Sequence, residues 1–106
     1  HKLMCGDARL RANWEELLCG LVAVLIITDL PYNVRVKGHV SGNGQHKHRE
    51  FVMGSGEMSE GEFIAFMRSI FRNLVHFSVK GSIHYHCMDW RDMREMLRPP
   101  TVFILN

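Results

Sequence analysis

The sequence predicts an α/β domain built on a parallel sheet with flanking helices, and three observations predict it. Leu21 to Thr28 is an almost unbroken apolar, β-branched run. Ser59 opens a helix-start signal that runs into a broad apolar stripe. Strand-like and helix-like segments alternate along the chain, the order that gives a parallel sheet with right-handed crossovers.

Lys2 to Cys5 reads as a short strand ending at the turn pair Gly6-Asp7. Ala8 to Cys19 reads as a helix, with Leu10, Trp14, Leu17 and Leu18 at helical spacing and Gly20 as its stop. The run Leu21–Thr28 fits a strand covered on both faces, as in the middle of a parallel sheet. Residues 33–57 carry five glycines and little apolar periodicity, the mark of a long functional or disordered loop. Ser59-Glu60-Gly61-Glu62 then matches the capping box, with Ser59 as N-cap. The helix places Phe63, Phe66, Met67, Ile70, Phe71, Leu74 and Phe77 on one face, and Lys80-Gly81 is read as its end. Ser82 to Met88 is a second strand. Asp89 is positioned to cap a short helix over Trp90–Leu97, which Pro99-Pro100 terminates. Thr101 to Leu105 has strand character.

Composition narrows the class. The chain has 106 residues, 46% hydrophobic and 23% charged, which fits an ordinary globular domain or part of a larger one. A formal charge of +2 is too small to imply nucleic-acid binding by itself. Cys5, Cys19 and Cys87 are odd in number and widely spaced, so a disulfide framework is not expected and a reducing cytoplasm is. The longest apolar run falls far short of the roughly 20 residues of a membrane helix, and no signal-peptide pattern is visible. The chain begins at His1 rather than Met and is expected to be a fragment of something longer.

Ligands of an open parallel sheet bind beyond the carboxyl ends of its strands. Asp29-Leu30-Pro31-Tyr32-Asn33 lies at such an end. An ionised Asp accepts hydrogen bonds, a proline fixes the local turn, and a tyrosine offers a flat face for a base. Together these residue types suit an exocyclic amine: Asp29 and a backbone carbonyl accept its protons while Tyr32 covers the ring. A base reaches such a pocket only when flipped out of the duplex. The plain alternative is a strand-ending turn without chemistry.

The stretch resembles the Asp-Pro-Pro-Tyr motif of S-adenosylmethionine-dependent DNA methyltransferases acting on adenine N6 or cytosine N4. Leu3-Met-Cys-Gly-Asp7, a helix, and Ile26-Ile-Thr-Asp-Leu-Pro-Tyr-Asn-Val34 look like the amino end of the subclass whose catalytic motif precedes its cofactor motif. Gly38-His-Val-Ser-Gly42, Lys47-His-Arg-Glu-Phe51, Ser55-Gly-Glu-Met-Ser59 and Cys87-Met-Asp-Trp90 are similar to a phage- and plasmid-associated branch. The resemblance implies a partial Rossmann-like methyltransferase fold. Residues 1–97 would be its catalytic-motif half and 98–106 a divergent or truncated tail. It assigns catalysis to Asp29, Pro31 and Tyr32, cofactor contact to Asp7 and Asp29, and support of the loop to Asn33. The implied cofactor is S-adenosylmethionine, and the implied partners are double-stranded DNA with a flipped base and a downstream cofactor-binding half. Two departures stand out. Leu30 replaces the first proline, and no Phe-x-Gly-x-Gly cofactor signature occurs.

Lys37, His39, His46, Lys47, His48 and Arg49 form the densest basic cluster. Of these, Lys37, His39, Lys47, His48 and Arg49 are read as gripping the DNA backbone. His46, His48, His84, His86 and Cys87 raise a metal-binding or RNA-binding alternative, but none has the spacing of a zinc site, and no metal is expected. Cys87 reads as a buried small apolar residue, and Arg91, Arg94 and Arg98 as surface charge. A catalytically inactive remnant or small DNA-binding module of the same fold is the second functional expectation. Exposed strand edges make homodimer formation a further one.

Overall fold

The structure, a computed structural model, describes residues 1–34 and 53–98. Its elements run α1 (Arg11–Leu18), β1 (Ala23–Asp29), α2 (Glu60–His76), β2 (Ser78–Cys87), a single 3-10 turn (Trp90–Asp92) and α3 (Met93–Leu97). β1 and β2 pair in parallel, so the domain is α/β with a two-stranded parallel sheet among the described residues. None of the described helices is long and apolar enough to cross a membrane.

α2 organises the rest. The Ser59 hydroxyl accepts from the Glu62 amide at 3.4 Å, and the Glu62 carboxylate accepts from the Ser59 amide at 2.8 Å. This reciprocal pair satisfies two amide donors that the first turn leaves without helical partners. The predicted stripe is the core: Phe63, Phe66, Met67, Ile70, Phe71 and Leu74 are buried, with Met67 wholly inaccessible, and Ile26 of β1 joins them. Trp14 of α1 and Met96 of α3 pack against the same cluster. Asn73 is buried with them, its amide donating to the carbonyls of Ala8 at 2.9 Å and Arg9 at 3.0 Å. That bond ties the amino-terminal segment to α2 and spares a polar group from being buried unpaired.

Several boundaries differ from expectation. Residues 2–5 form no strand. α1 starts at Arg11, and Cys19 (φ 51°) and Gly20 (φ 84°) both take the left-handed conformation that ends it. α2 ends at His76 rather than at Lys80-Gly81. The Phe77 amide still donates to Asn73 O at 2.9 Å, but the Phe77 carbonyl accepts from Ala23 N at 2.8 Å and so already belongs to the sheet. The Ser78 hydroxyl takes the Leu74 carbonyl. Gly81 (φ 80°) therefore lies inside β2, where the register is irregular: Ala23 pairs with Ser78, but Leu25 pairs with Ile83.

The largest difference concerns β1, which is not covered on both faces. Leu25 is 50% and Ile27 70% exposed, because every described helix that packs on the core lies on the Ile26 side. The strand candidate Thr101–Leu105 lies outside the described residues.

Candidate functional site at the carboxyl ends of the parallel strands

The two strands finish level, with Asp29 of β1 paired to Cys87 of β2. Beyond Asp29 the chain turns through Leu30, Pro31, Tyr32 and Asn33, and three anchors fix that turn. The Leu30 side chain packs against the core, so the residue that departs from the family pattern supplies its own restraint. Pro31 sits on Gly54: a Cβ there would stand 2.5 Å from the Pro31 Cβ, and Gly54 has φ 73°, so only glycine suits this approach. Asn33, at φ 55°, accepts from the amides of Gly56 and Met58, each at 3.2 Å, and donates to the Met58 carbonyl at 2.9 Å. Met58 immediately precedes the N-cap of α2. The turn is thus hung between the strand end and the start of the longest helix.

Glu57 shapes the facing segment. Its carboxylate accepts from the amides of Gly54 at 2.5 Å and Ser55 at 2.6 Å. Hydrogen bonds from its own amide and from these two hold the carboxyl below its ordinary range.

Within the turn the Tyr32 hydroxyl donates to the Asp29 carboxylate. That bond, then partial burial, then the negative charges of Asp29, Cys87 and Asp89, push the Tyr32 phenol up to about 12. The phenol is therefore a neutral donor at physiological pH, seated on an exposed carboxylate. Asp89 is committed elsewhere. It accepts from the Arg91 amide at 3.0 Å and the Arg91 guanidinium at 2.8 Å, which pull its carboxyl down to about 2. The arrangement leaves one carboxylate at the strand end, covered by one removable donor, beside an aromatic ring. Chemically it can accept a polarised N–H and stack a flat ring over it.

Asp29, Pro31 and Tyr32 are thus brought together, while Asp7 is held differently. Its carboxylate accepts from the Arg9 amide at 2.9 Å and from the Arg9 guanidinium at 2.6–3.0 Å, and these bonds hold the carboxyl below its ordinary range. Asp7 lines an open depression of about 150 Å³ with Met4, Gly6, Asn13 and Trp14. Lys37, His39, His46, Lys47, His48 and Arg49 lie outside the described residues.

The remaining candidates have local partners. His84 Nε2 lies 3.1 Å from the Ser78 hydroxyl and 3.0 Å from that of Ser82, and His86 Nδ1 lies 2.6 Å from the Thr28 hydroxyl. Both point toward α2, where His86 meets Phe71 with ring centroids 4.9 Å apart. Among the described residues no group of three His, Cys, Asp or Glu side chains is placed to hold a metal ion. Cys87 is exposed rather than buried, because it falls on the open face of the sheet beside Asp29. Arg91 pairs with Asp89, and Arg94 and Arg98 with Glu60, all at the surface.

Sequence reasoning missed Gly54 and Glu57. The signal was present in Gly54-Ser-Gly-Glu57, a turn-forming run, but nothing in it names Pro31 as the group that it meets. Compared with models of known protein families, with curated proteins and with solved structures, the chain gives no match.

Proposed function

We propose that this chain is the target-base half of an S-adenosylmethionine-dependent DNA methyltransferase acting on the exocyclic amine of adenine or cytosine. The observation that carries the reading is the pairing of Asp29 and Tyr32 at the carboxyl end of a parallel strand, on a turn clamped by Pro31 and Asn33. On this reading the two strands belong to a Rossmann-like sheet, double-stranded DNA is the partner, and the cytoplasm is the compartment. The amine takes the place of the Tyr32 hydroxyl on Asp29, a backbone carbonyl of the turn accepts its second proton, and the Tyr32 ring stacks on the base. Held this way, the amine needs orientation and electrostatic support rather than a strong base.

The methyl donor does not fit this chain alone. At about 150 Å³ the depression beside Asp7 is well below the roughly 300 Å³ at which ligand pockets begin, and Arg9 already occupies the Asp7 carboxylate. The reading therefore assigns cofactor binding to a separate downstream half carrying the glycine-rich motif. Asp29→Ala is expected to abolish methyl incorporation into DNA by the chain combined with such a half, and to leave the circular dichroism spectrum unchanged. Retained incorporation removes Asp29 from its role.

The Asp7–Arg9 pairing favours a second reading, a catalytically inactive remnant or DNA-binding module of the same fold. Calorimetry separates the two: S-adenosylmethionine binding by the combined halves supports the enzyme, and none supports the module.

A further inference from the structure

The sheet has one face that none of the described helices covers. Leu25 pairs with Ile83 and Ile27 with Tyr85, so four large side chains form a two-by-two block. They are 50%, 56%, 70% and 58% exposed, respectively. The block holds no charge; Asp29 and Cys87 follow it only at the carboxyl end. The other face carries Ile26, Thr28, His84 and His86 and receives α2. Leu21, Val22 and Val24 continue the exposed apolar surface along β1 and its approach.

Parallel strands are ordinarily covered on both faces, and a large open apolar patch on a folded chain marks a contact. Scaled by their exposures, these seven side chains offer on the order of 800 Å², about what one partner contributes to an interface of standard size.

We propose that a second copy of this chain covers this face, the two copies meeting about a twofold axis through Leu25, Ile27, Ile83 and Tyr85. A twofold contact sets a patch against itself, so any charge in it would face its own like. This block has none. Tyr85 supplies the kind of residue that anchors interface cores, a flat ring with a polar tip that reaches the rim. The inference rests on the sheet face alone and stands apart from the methyltransferase reading.

Sedimentation equilibrium of the 106-residue chain tests it at concentrations up to tens of micromolar. The expected result is twice the 12.3 kDa monomer mass, reversible on dilution. Ile27→Lys and Tyr85→Lys are each expected to give monomers with an unchanged circular dichroism spectrum. Val75→Lys, on the exposed side of α2, leaves the dimer intact. Should a lysine variant unfold, Ile27→Thr keeps strand propensity and is expected to weaken association about tenfold. A wild-type monomer throughout the range overturns the proposal. So does a dimer insensitive to these substitutions, or growth into species with no defined size.

Discussion

At the scale of single residues, Asp29 and Tyr32 hold each other in a state that a ligand must undo. The phenol stays protonated because its hydroxyl donates to a carboxylate, and ionising it would set two anions together. Ultraviolet titration of the folded chain should therefore show one tyrosine ionising near pH 12. In Asp29→Asn that transition is expected to fall back toward the ordinary value of about 10. An unmoved transition would show that the contact does not form in solution. The sign for stability follows from the same shift. The unfolded chain gives up the Tyr32 proton first, so stability is lost as pH rises from the ordinary tyrosine value of 10.0 through about 12. The identities of these two residues were legible in the sequence, because an apolar run followed by Asp-Leu-Pro-Tyr marks a strand end. Their clamp was not. Gly54 meets Pro31, and Met58 meets Asn33, across more than twenty positions, and no local periodicity reports such contacts.

Secondary-structure elements differ in how openly they declare their ends. The start of α2 was readable to the residue, since Ser59 and Glu62 encode the cap in four positions and the Phe–Met–Ile stripe follows at once. Ser59→Ala removes one half of that reciprocal pair and is expected to cost about 1 kcal/mol, read as a lower urea midpoint at unchanged slope. Ser59→Asp should restore most of it, and equal midpoints for all three chains would show that the cap contributes nothing. The other end of α2 was misread because Lys80-Gly81 has the look of a helix stop. The sheet claims the backbone first: the Phe77 carbonyl binds Ala23, and the positive φ of Gly81 serves a bulge inside β2. A glycine states a permitted backbone shape without saying which element uses it. The run Leu21–Thr28 was likewise recognised as a strand, whereas its environment was not. Hydropathy shows what a face prefers, and here only one of its faces meets a helix.

For the whole molecule, that one-sidedness concentrates the interior between α2 and a single sheet face, and two histidines occupy it. His86 lies against Phe71 of α2, Thr28 of β1 and His84 of its own strand, with no carboxylate among these neighbours. Burial, then the nearby His84, lower its pKa below the ordinary 6.5. The folded state thus holds His86 neutral, and its contribution is present above pH 6.5 and lost as pH falls below that value. Tm is expected to drop between about pH 7.5 and about pH 5.5, and His86→Asn should flatten that limb. If the variant and the wild type lose stability in parallel, the acid sensitivity belongs to other groups.

The irregular register of β2 has one more consequence, which is a matter of counting. Between its first two pairings β1 advances by two residues and β2 by five. The excess is odd, and strand side chains alternate, so those extra residues decide which set turns toward α2. As it stands, Ser82, His84 and His86 turn inward, while Ile83 and Tyr85 face out. Deleting one residue from 79–82 would leave the helix and the strand end in place and turn β2 inside out, with isoleucine and tyrosine against Phe71 and the histidines in water. Hydropathy alone would choose that reversed parity. The chain keeps the other one through the length of a bulge, which makes the short stretch around Gly81 the place where its inside and outside are assigned.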